Sequence, residues 1–134
     1  MQRPRIMLAE DHPEVAEQLR NLLASEFDVV AVVPDGQALL RAAEAVHPDV
    51  VVTDIVMPAL DGIAATAALL ARQPDVRLVL VTVQDDPELV ERGQAAGALG
   101  FVAKHRAGHE LVPAIKAVLR GERYVSRYGR IGRS

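Results

Sequence analysis

The sequence contains no cysteine and no tryptophan among its 134 residues. The lack of cysteine excludes disulfide bonds, thiolate nucleophiles, and zinc or iron–sulfur sites built on cysteine. Because only four side chains are aromatic, the core must be built mainly from Ala, Val and Leu. No apolar run approaches the roughly 20 residues of a membrane-spanning helix, and the first residues are not followed by an apolar signal segment. We therefore expect a cytoplasmic protein with no membrane partner.

Negative charge is concentrated in the body of the chain, and positive charge near its end. The net charge is −3, but residues 1–119 carry 10 basic and 17 acidic side chains, whereas residues 120–134 carry five arginines and one glutamate. The body therefore lacks the basic surface of a nucleic-acid-binding domain. A chain of this length is enough for one domain. We place that domain at residues 1–121 and interpret residues 122–134, which show no periodicity, as a linker stub or tail.

Five apolar, valine-rich runs alternate with segments of helical spacing. The runs are short and continuous, which is typical of parallel strands buried on both faces. They comprise residues 6–9, 29–33, 50–53, 78–81 and 99–103. Between them, apolar residues recur three and four positions apart. Asp35-Gly36 and Asp61-Gly62 precede two of these segments, and Asp86-Pro87 opens another as a cap and first-turn pair. This alternation predicts an α/β fold, a three-layer, doubly wound (βα)5 parallel sheet with helices on both faces.

Polar side chains follow the predicted strands at the edge where a doubly wound sheet binds its ligands. The first run ends in Glu10 and Asp11, the third in Asp54 and the fourth in Thr82, and Lys104 follows the fifth. Two carboxylates about 4 Å apart repel each other by about 4 kcal/mol at an effective dielectric constant near 20. Mg²⁺ would compensate this charge and leave coordination positions for phosphoryl oxygens. Since no Ser–His pair is evident, the predicted nucleophile is a carboxylate.

This ordered set of motifs resembles the receiver domain of two-component response regulators. The motifs are Glu10-Asp11-His12-Pro13, Asp54-Ile-Val-Met-Pro58 with Asp61-Gly62, Val81-Thr82 and Gly100-Phe101-Val-Ala-Lys104. The resemblance covers about residues 4–121. The acidic pair before His-Pro and the ending at residues 117–126 resemble the NarL/FixJ subgroup, whose members usually carry a C-terminal LuxR-type helix-turn-helix domain. The resemblance implies a flavodoxin-like receiver fold and a signalling switch rather than a turnover enzyme.

The resemblance also implies how a phosphoryl group would be handled. Asp54 would accept it from a sensor histidine kinase. Lys104 would pair with Asp54 at rest and with a phosphoryl oxygen afterwards, and Thr82 would hydrogen-bond another phosphoryl oxygen. Phe101 would rotate into the space that Thr82 vacates, although an aromatic side chain on a strand can equally be a static part of the core.

A magnesium site is implied by the same resemblance. Asp11 and Asp54 would bind Mg²⁺ directly, together with the backbone carbonyl of Val56, and Glu10 would act through a coordinated water. We interpret His12, beside the acidic pair, as a loop and helix-start residue, because a hard cation prefers oxygen ligands.

Several positions depart from the family pattern. His105 follows Lys104 where the family usually has proline, so we expect a trans peptide bond there. Val83, after Thr82, narrows access to Asp54. Val56 cannot orient a hydrolytic water, a role that Gln84 could take. We therefore expect slow loss of the phosphoryl group.

Three other functions are compatible with a layered α/β fold: an electron carrier, a hydrolase and a degenerate receiver. A flavodoxin-like electron carrier is disfavoured by Glu10 and Asp11, which stand where such a protein has a phosphate-binding loop. A hydrolase that works through an aspartyl intermediate needs a second acid or base two residues after the nucleophile, and Val56 cannot serve as one. A degenerate receiver that acts only as an interaction module is disfavoured by the intact set of Glu10, Asp11, Asp54, Thr82 and Lys104. We favour a receiver cut from a DNA-binding transcriptional regulator over a stand-alone single-domain regulator. Homodimer formation is left open.

Overall fold

The computed structural model describes residues 3–57, 59–83 and 86–126. Its strands are β1 (Arg5–Ala9), β2 (Asp28–Val33), β3 (Val50–Asp54), β4 (Arg77–Thr82), β5 (Gly100–Ala103) and β6 (Tyr124–Val125). Its helices are α1 (Pro13–Ala24), α2 (Gly36–Val46), α3 (Gly62–Arg72), α4 (Pro87–Ala96) and α5 (Ala107–Leu119). The strands form one parallel sheet in the order β2-β1-β3-β4-β5-β6. The predicted doubly wound α/β fold is confirmed.

The valine-rich runs form strands because their branched side chains fill both faces of a covered sheet. All five residues of β3 are buried, as are most residues of β1 and β4. β2 is different, because it lies at the edge of the sheet and most of its residues are partly or largely exposed. The prediction that every strand is buried on both faces was therefore wrong for β2.

Helices cover the sheet on both faces and enclose two apolar cores. One core joins α1 and α5 to the sheet and contains Phe27 and Leu111. The other joins α2, α3 and α4 to the opposite face and contains Phe101. The predicted cap at Asp86 is confirmed, since its side chain accepts a backbone N–H from the first turn of α4. Asp35 and Asp61 cap α2 and α3 in the same way.

The chain continues beyond α5 into β6, a strand that the sequence pattern did not predict. The Tyr124 N–H donates to the Leu99 carbonyl at 3.0 Å, and the Ser126 N–H donates to the Phe101 carbonyl at 2.8 Å. Residues 122–126 of the predicted tail thus lie against the sheet or lead to it, and residues 127–134 lie outside the described part. Within the described ranges, each helix is too short or too polar to cross a membrane.

Candidate functional site

The sheet brings the polar strand ends together at its carboxyl edge. Asp54 is the last residue of β3 and Thr82 the last residue of β4, while Glu10 directly follows β1 and Lys104 directly follows β5. Because β1, β3, β4 and β5 are consecutive neighbours in the sheet, these residues line one continuous stretch of that edge. Glu10, Asp54 and Thr82 are buried.

Lys104 joins two carboxylates at the centre of this edge. Its Nζ lies 2.9 Å from Asp54 Oδ2 and 2.9 Å from Glu10 Oε1. The contact with Asp54 matches the pairing that the sequence resemblance implies. The contact with Glu10 was missed, because it depends on the distance between the ends of β1 and β5, and no local signal in the sequence gives that distance.

The shared ammonium affects the two carboxylates unequally. Burial raises the pKa of Asp54, the neighbouring charge of Glu10 raises it further, and the bond to Lys104 only partly offsets this. Burial alone would raise the pKa of Glu10 as well, but hydrogen bonds from Lys104 and His12 outweigh it and hold that pKa below its usual value. Burial would lower the pKa of Lys104, yet its bonds to both carboxylates raise it. Asp54 is thus the less fully compensated carboxylate.

Asp11 carries an oxygen that the surrounding protein does not satisfy. His12, the N-cap residue of α1, lies with Nδ1 3.2 Å from Asp11 Oδ1, but this nitrogen hydrogen-bonds Glu10 Oε2 at 3.0 Å. Asp11 Oδ1 is buried without a hydrogen-bond partner among the described residues. An unsatisfied buried acceptor is costly, on the order of 1–3 kcal/mol. Its placement suits an oxygen-binding cation.

Donor atoms of Glu10, Asp11 and His12 lie within 4.8 Å of one another and could hold a metal ion. The two carboxylates match the oxygen preference of Mg²⁺, and Asp11 Oδ1, which accepts no hydrogen bond among the described residues, suits a cation ligand. The pKa of His12 is raised by its bond to Glu10 and by the charge of Asp11, although its side chain is largely exposed. The ring lies beside the acidic pair, with Nδ1 3.0 Å from Glu10 Oε2 and 3.2 Å from Asp11 Oδ1.

Thr82 and Phe101 lie on neighbouring strands behind the carboxylates. Thr82 pairs with Ala103 in the sheet and is buried. The Phe101 ring is fully buried against α4, where a Cβ on Gly93 would lie 2.5 Å from its Cε2 atom. The ring therefore occupies space that only a glycine leaves open.

Two valines flank Asp54 on the solvent side. Val56, in the turn after β3, has 61% of its surface exposed, and Val83, after β4, has 71% exposed. Val56 carries no polar group with which to orient a hydrolytic water. Gln84, the alternative proposed from the sequence, lies outside the described residues.

The segment after β5 has a trans backbone, as predicted. No peptide bond within the described ranges is cis, so His105 follows Lys104 through a trans bond. Lys104–Arg106 forms a single 3-10 turn that leads directly into α5. The histidine is accommodated in this turn with Lys104 still reaching both carboxylates.

Comparison with known sequences identifies relatives over nearly the whole chain. The response regulator receiver domain model matches residues 6–116. Response regulator GacA of Pseudomonas aeruginosa is 36% identical over 124 residues, which are 91% of this chain and 58% of that protein. Transcriptional regulatory protein DegU of Brevibacillus brevis is 34% identical over 123 residues, which are 90% of this chain and 52% of that protein. The chain thus spans slightly more than half the length of these relatives.

Solved structures agree with the sequence relatives. The signal receiver domain of the response regulator NarL from Mycobacterium tuberculosis superposes with a TM-score of 0.86 at 30% identity, covering 91% of this chain and 100% of that one. A LuxR-family two-component response regulator from Aurantimonas superposes with a TM-score of 0.89 at 35% identity, covering 93% of this chain and 91% of that one. The chain therefore belongs to the response regulator receiver-domain family, and its relatives are of the NarL/LuxR type.

Proposed function

We propose that this receiver domain accepts a phosphoryl group on Asp54 from the phosphohistidine of a sensor histidine kinase. The observation that best supports this is the placement of Lys104 Nζ, 2.9 Å from both Asp54 and Glu10 in a buried site. A partly buried ammonium that already holds the buried acceptor carboxylate is positioned to follow the charge that arrives with a phosphoryl group. Phosphoryl transfer depends mainly on such positioning and charge neutralisation.

The transfer step follows from these groups. A carboxylate oxygen of Asp54 attacks the phosphorus, and a P–O bond forms as the P–N bond to the kinase histidine breaks. The electron pair of the P–N bond returns to the imidazole, which takes one proton from solvent and leaves neutral. Lys104 then donates to a phosphoryl oxygen, and the Thr82 hydroxyl donates to another.

We propose Mg²⁺ as the cofactor, held by Asp11, Asp54 and the Val56 carbonyl, with Glu10 acting through a water. Asp11 Oδ1, a buried oxygen that accepts no hydrogen bond among the described residues, supports this ligand set. When bound, Mg²⁺ supplies positive charge that neutralises the clustered carboxylates and the incoming phosphoryl oxygens. Glu10 is already engaged by Lys104 and His12, which suits an indirect role.

The output of the switch is also part of the proposal. The added charge of about −1.5 to −2 draws Thr82 toward the phosphoryl group, and Phe101 adjusts between β5 and α4. Relatives whose names mark them as transcriptional regulators are almost twice as long. We therefore propose a receiver at residues 1–121 of a cytoplasmic transcriptional regulator, whose LuxR-type helix-turn-helix domain binds DNA. A stand-alone regulator acting through protein contacts, with or without homodimer formation, is the second candidate.

Incubation with acetyl phosphate and Mg²⁺, followed by intact mass measurement, tests the acceptor. We expect the wild type to gain the mass of one phosphoryl group, the Asp54→Asn variant to gain none, and the exposed control Asp75→Asn to behave as the wild type. Removal of Mg²⁺ with a chelator should abolish the gain. Modification that persists in Asp54→Asn would contradict the assignment of the acceptor.

The lifetime of the phosphorylated form tests whether the domain is a switch or an enzyme that turns over. Because Val56 and Val83 present no group that activates water, we expect slow loss of the phosphoryl group and modification of each molecule once. Loss within seconds after removal of acetyl phosphate would contradict this.

A further inference from the structure

β6 is attached to the sheet by side chains as well as by backbone. The last residue pair between β5 and β6 is Phe101 with Val125. Beyond that point the Ala103 N–H donates to Ser126 Oγ at 3.0 Å, so a hydroxyl takes the place of a backbone carbonyl. Ser126 is buried. A buried serine at this position therefore extends the pairing of β6 by one further bond.

The Ser126 hydroxyl is held in turn by Glu110 of α5. Ser126 Oγ donates to Glu110 Oε1, and Arg106 Nη1 lies 3.2 Å from Glu110 Oε2. Since each carboxylate oxygen of Glu110 has its own partner, the group is fixed in one orientation.

These bonds enclose the segment that carries Lys104. Ala103, bonded to Ser126, directly precedes Lys104, and Arg106, bonded to Glu110, ends the 3-10 turn that begins at Lys104. The Ala103 backbone and the Arg106 side chain, on either side of Lys104, are thus tied to the Ser126–Glu110 pair. The Lys104 side chain makes two contacts of 2.9 Å, and a small displacement of its backbone would lengthen them.

We propose that Ser126 and Glu110 are positioning residues for Lys104, so that β6 couples the state of Asp54 to the chain that follows residue 126. The proposal rests on the proposed role of Asp54 as phosphoryl acceptor. When Lys104 exchanges a carboxylate for a phosphoryl oxygen, the segment from Ala103 to Arg106 shifts, and the bonds to Ser126 and Glu110 change with it. Coupling of this kind is reciprocal, so weakening the Ser126 contact also changes the response at Asp54.

The experiment compares the Ser126→Ala variant with wild type, with the conservative Ser126→Thr variant and with the matched control Ser25→Ala. Ser25 is an exposed serine whose hydroxyl bonds a helix carbonyl at 3.2 Å, far from the site. Phosphorylation rates are followed by intact mass with acetyl phosphate and Mg²⁺. We expect Ser126→Ala to be phosphorylated about tenfold more slowly than wild type, because a small displacement of a group in the site lowers the reaction rate. Ser126→Thr, which keeps the hydroxyl, should restore most of the rate.

Lysine NMR provides a readout that a merely structural role of Ser126 would not move. The chain has two lysines, so ¹³Cε labelling gives one signal from Lys104 and one reference signal from Lys116. We expect Ser126→Ala to shift the Lys104 signal and to leave the Lys116 signal unchanged. Amide exchange at residues 124–126 should also change when beryllofluoride and Mg²⁺ are added to the wild type.

The outcomes separate this inference from the function on which it rests. If wild type is not phosphorylated, the proposed role of Asp54 fails. If wild type is phosphorylated and Ser126→Ala reacts at the same rate with an unmoved Lys104 signal, the positioning role is overturned and the acceptor role stands. If circular dichroism shows that Ser126→Ala does not fold, Glu110→Gln takes its place with the same expected slowing and Lys104 shift. An unchanged Glu110→Gln would then overturn the proposal.

Discussion

The two helices that flank β5, α4 and α5, are attached to the sheet very differently. α5 has six buried residues in its 13, including Leu111, Ile115 and Val118. In α4, all ten residues of which are described, only Gly93 is buried. Since burial of apolar side chains supplies most of the free energy that holds a helix in place, α5 is firmly anchored and α4 is not. A change at Asp54 can therefore displace α4 at much lower cost than α5.

The same two helices contact different parts of the candidate site. α5 follows Lys104 through the 3-10 turn and supplies Glu110, which binds Ser126. α4 lies over the ring of Phe101 at Gly93. In the proposed switch the two helices would therefore have different roles: the anchored helix would position the lysine, and the weakly attached helix would follow the aromatic ring.

The largest expected effect comes from shortening one leucine in each helix. Leu111→Ala in α5 removes a fully buried side chain and should lower the free energy of unfolding by about 2–5 kcal/mol. Leu89→Ala in α4 removes a partly exposed one and should cost about 1 kcal/mol. Urea unfolding followed by circular dichroism measures both. Equal losses of unfolding free energy in the two variants would contradict the stronger anchoring of α5.

Replacing one glycine in each helix by alanine should change the stability by less, but in opposite directions. Gly108 of α5 has open space where a Cβ would be added, whereas a Cβ at Gly93 of α4 would lie 2.5 Å from Phe101 and 2.7 Å from Leu80 Cδ1. Gly108→Ala should raise the free energy of unfolding by roughly 0.5–1 kcal/mol through helix propensity. Gly93→Ala should lower it by about 1–2 kcal/mol, because overpacking of the core outweighs that gain.

The Gly93→Ala substitution should also displace Phe101. The chain has two phenylalanines, Phe27 and Phe101, so fluorophenylalanine labelling gives two ¹⁹F signals. We expect Gly93→Ala to move the Phe101 signal and Gly108→Ala to move neither. A Gly93→Ala variant that is as stable as Gly108→Ala, with an unmoved Phe101 signal, would refute the close packing of α4 on the ring.

The smallest expected effect is a pH dependence confined to the α5 side. Burial alone would raise the pKa of Glu110, but hydrogen bonds from Ser126, Arg106 and Tyr124 outweigh it and hold the pKa below its ordinary value of 4.5. A carboxyl group with a lowered pKa in the folded state stabilises the fold above that ordinary value, and the contribution is lost as the pH falls through the folded pKa. Glu110→Gln should therefore be less stable than wild type at neutral pH, and the gap should close below about pH 4.5.

Thermal melts at a series of pH values measure this gap. Glu88→Gln, an exposed substitution in the first turn of α4, is the matched control, and its difference from wild type should not follow the Glu110 pattern. A gap for Glu110→Gln that stays constant from neutral pH into acid would show that the carboxylate is not held by its partners.

Much of the fold could be predicted from local features of the sequence. Continuous apolar runs identify β1, β3 and β4 because these strands are buried on both faces, and aspartates directly before Gly36, Gly62 and Pro87 mark the helix starts there. The exposed edge of β2 could not be predicted, because strand order is a property of the whole sheet. β6 is two residues long and carries no periodic pattern, so its pairing depends on contacts with β5 and α5 that are distant in sequence.

The candidate site divides in the same way. Glu10, Asp11, Asp54, Thr82 and Lys104 could be selected because each stands at a strand end, and the sheet brings parallel strand ends to one edge. The sharing of Lys104 between Asp54 and Glu10, and the contact of Ser126 with Ala103, could not be found, because they are set by distances between elements. A glutamate or a serine is an ordinary residue of a surface loop, so the residue type alone gives no sign of these contacts.

The central claim, that Asp54 accepts a phosphoryl group held by Lys104 and Thr82, is tested most directly by a crystal structure grown with Mg²⁺ and beryllofluoride. The account predicts a beryllium atom bonded to an Asp54 oxygen, fluorine atoms within hydrogen-bond distance of Lys104 Nζ and Thr82 Oγ1, and a cation on Asp11. It would be contradicted by a beryllofluoride group bound elsewhere, or by an unmodified Asp54 with Lys104 still bridging it to Glu10.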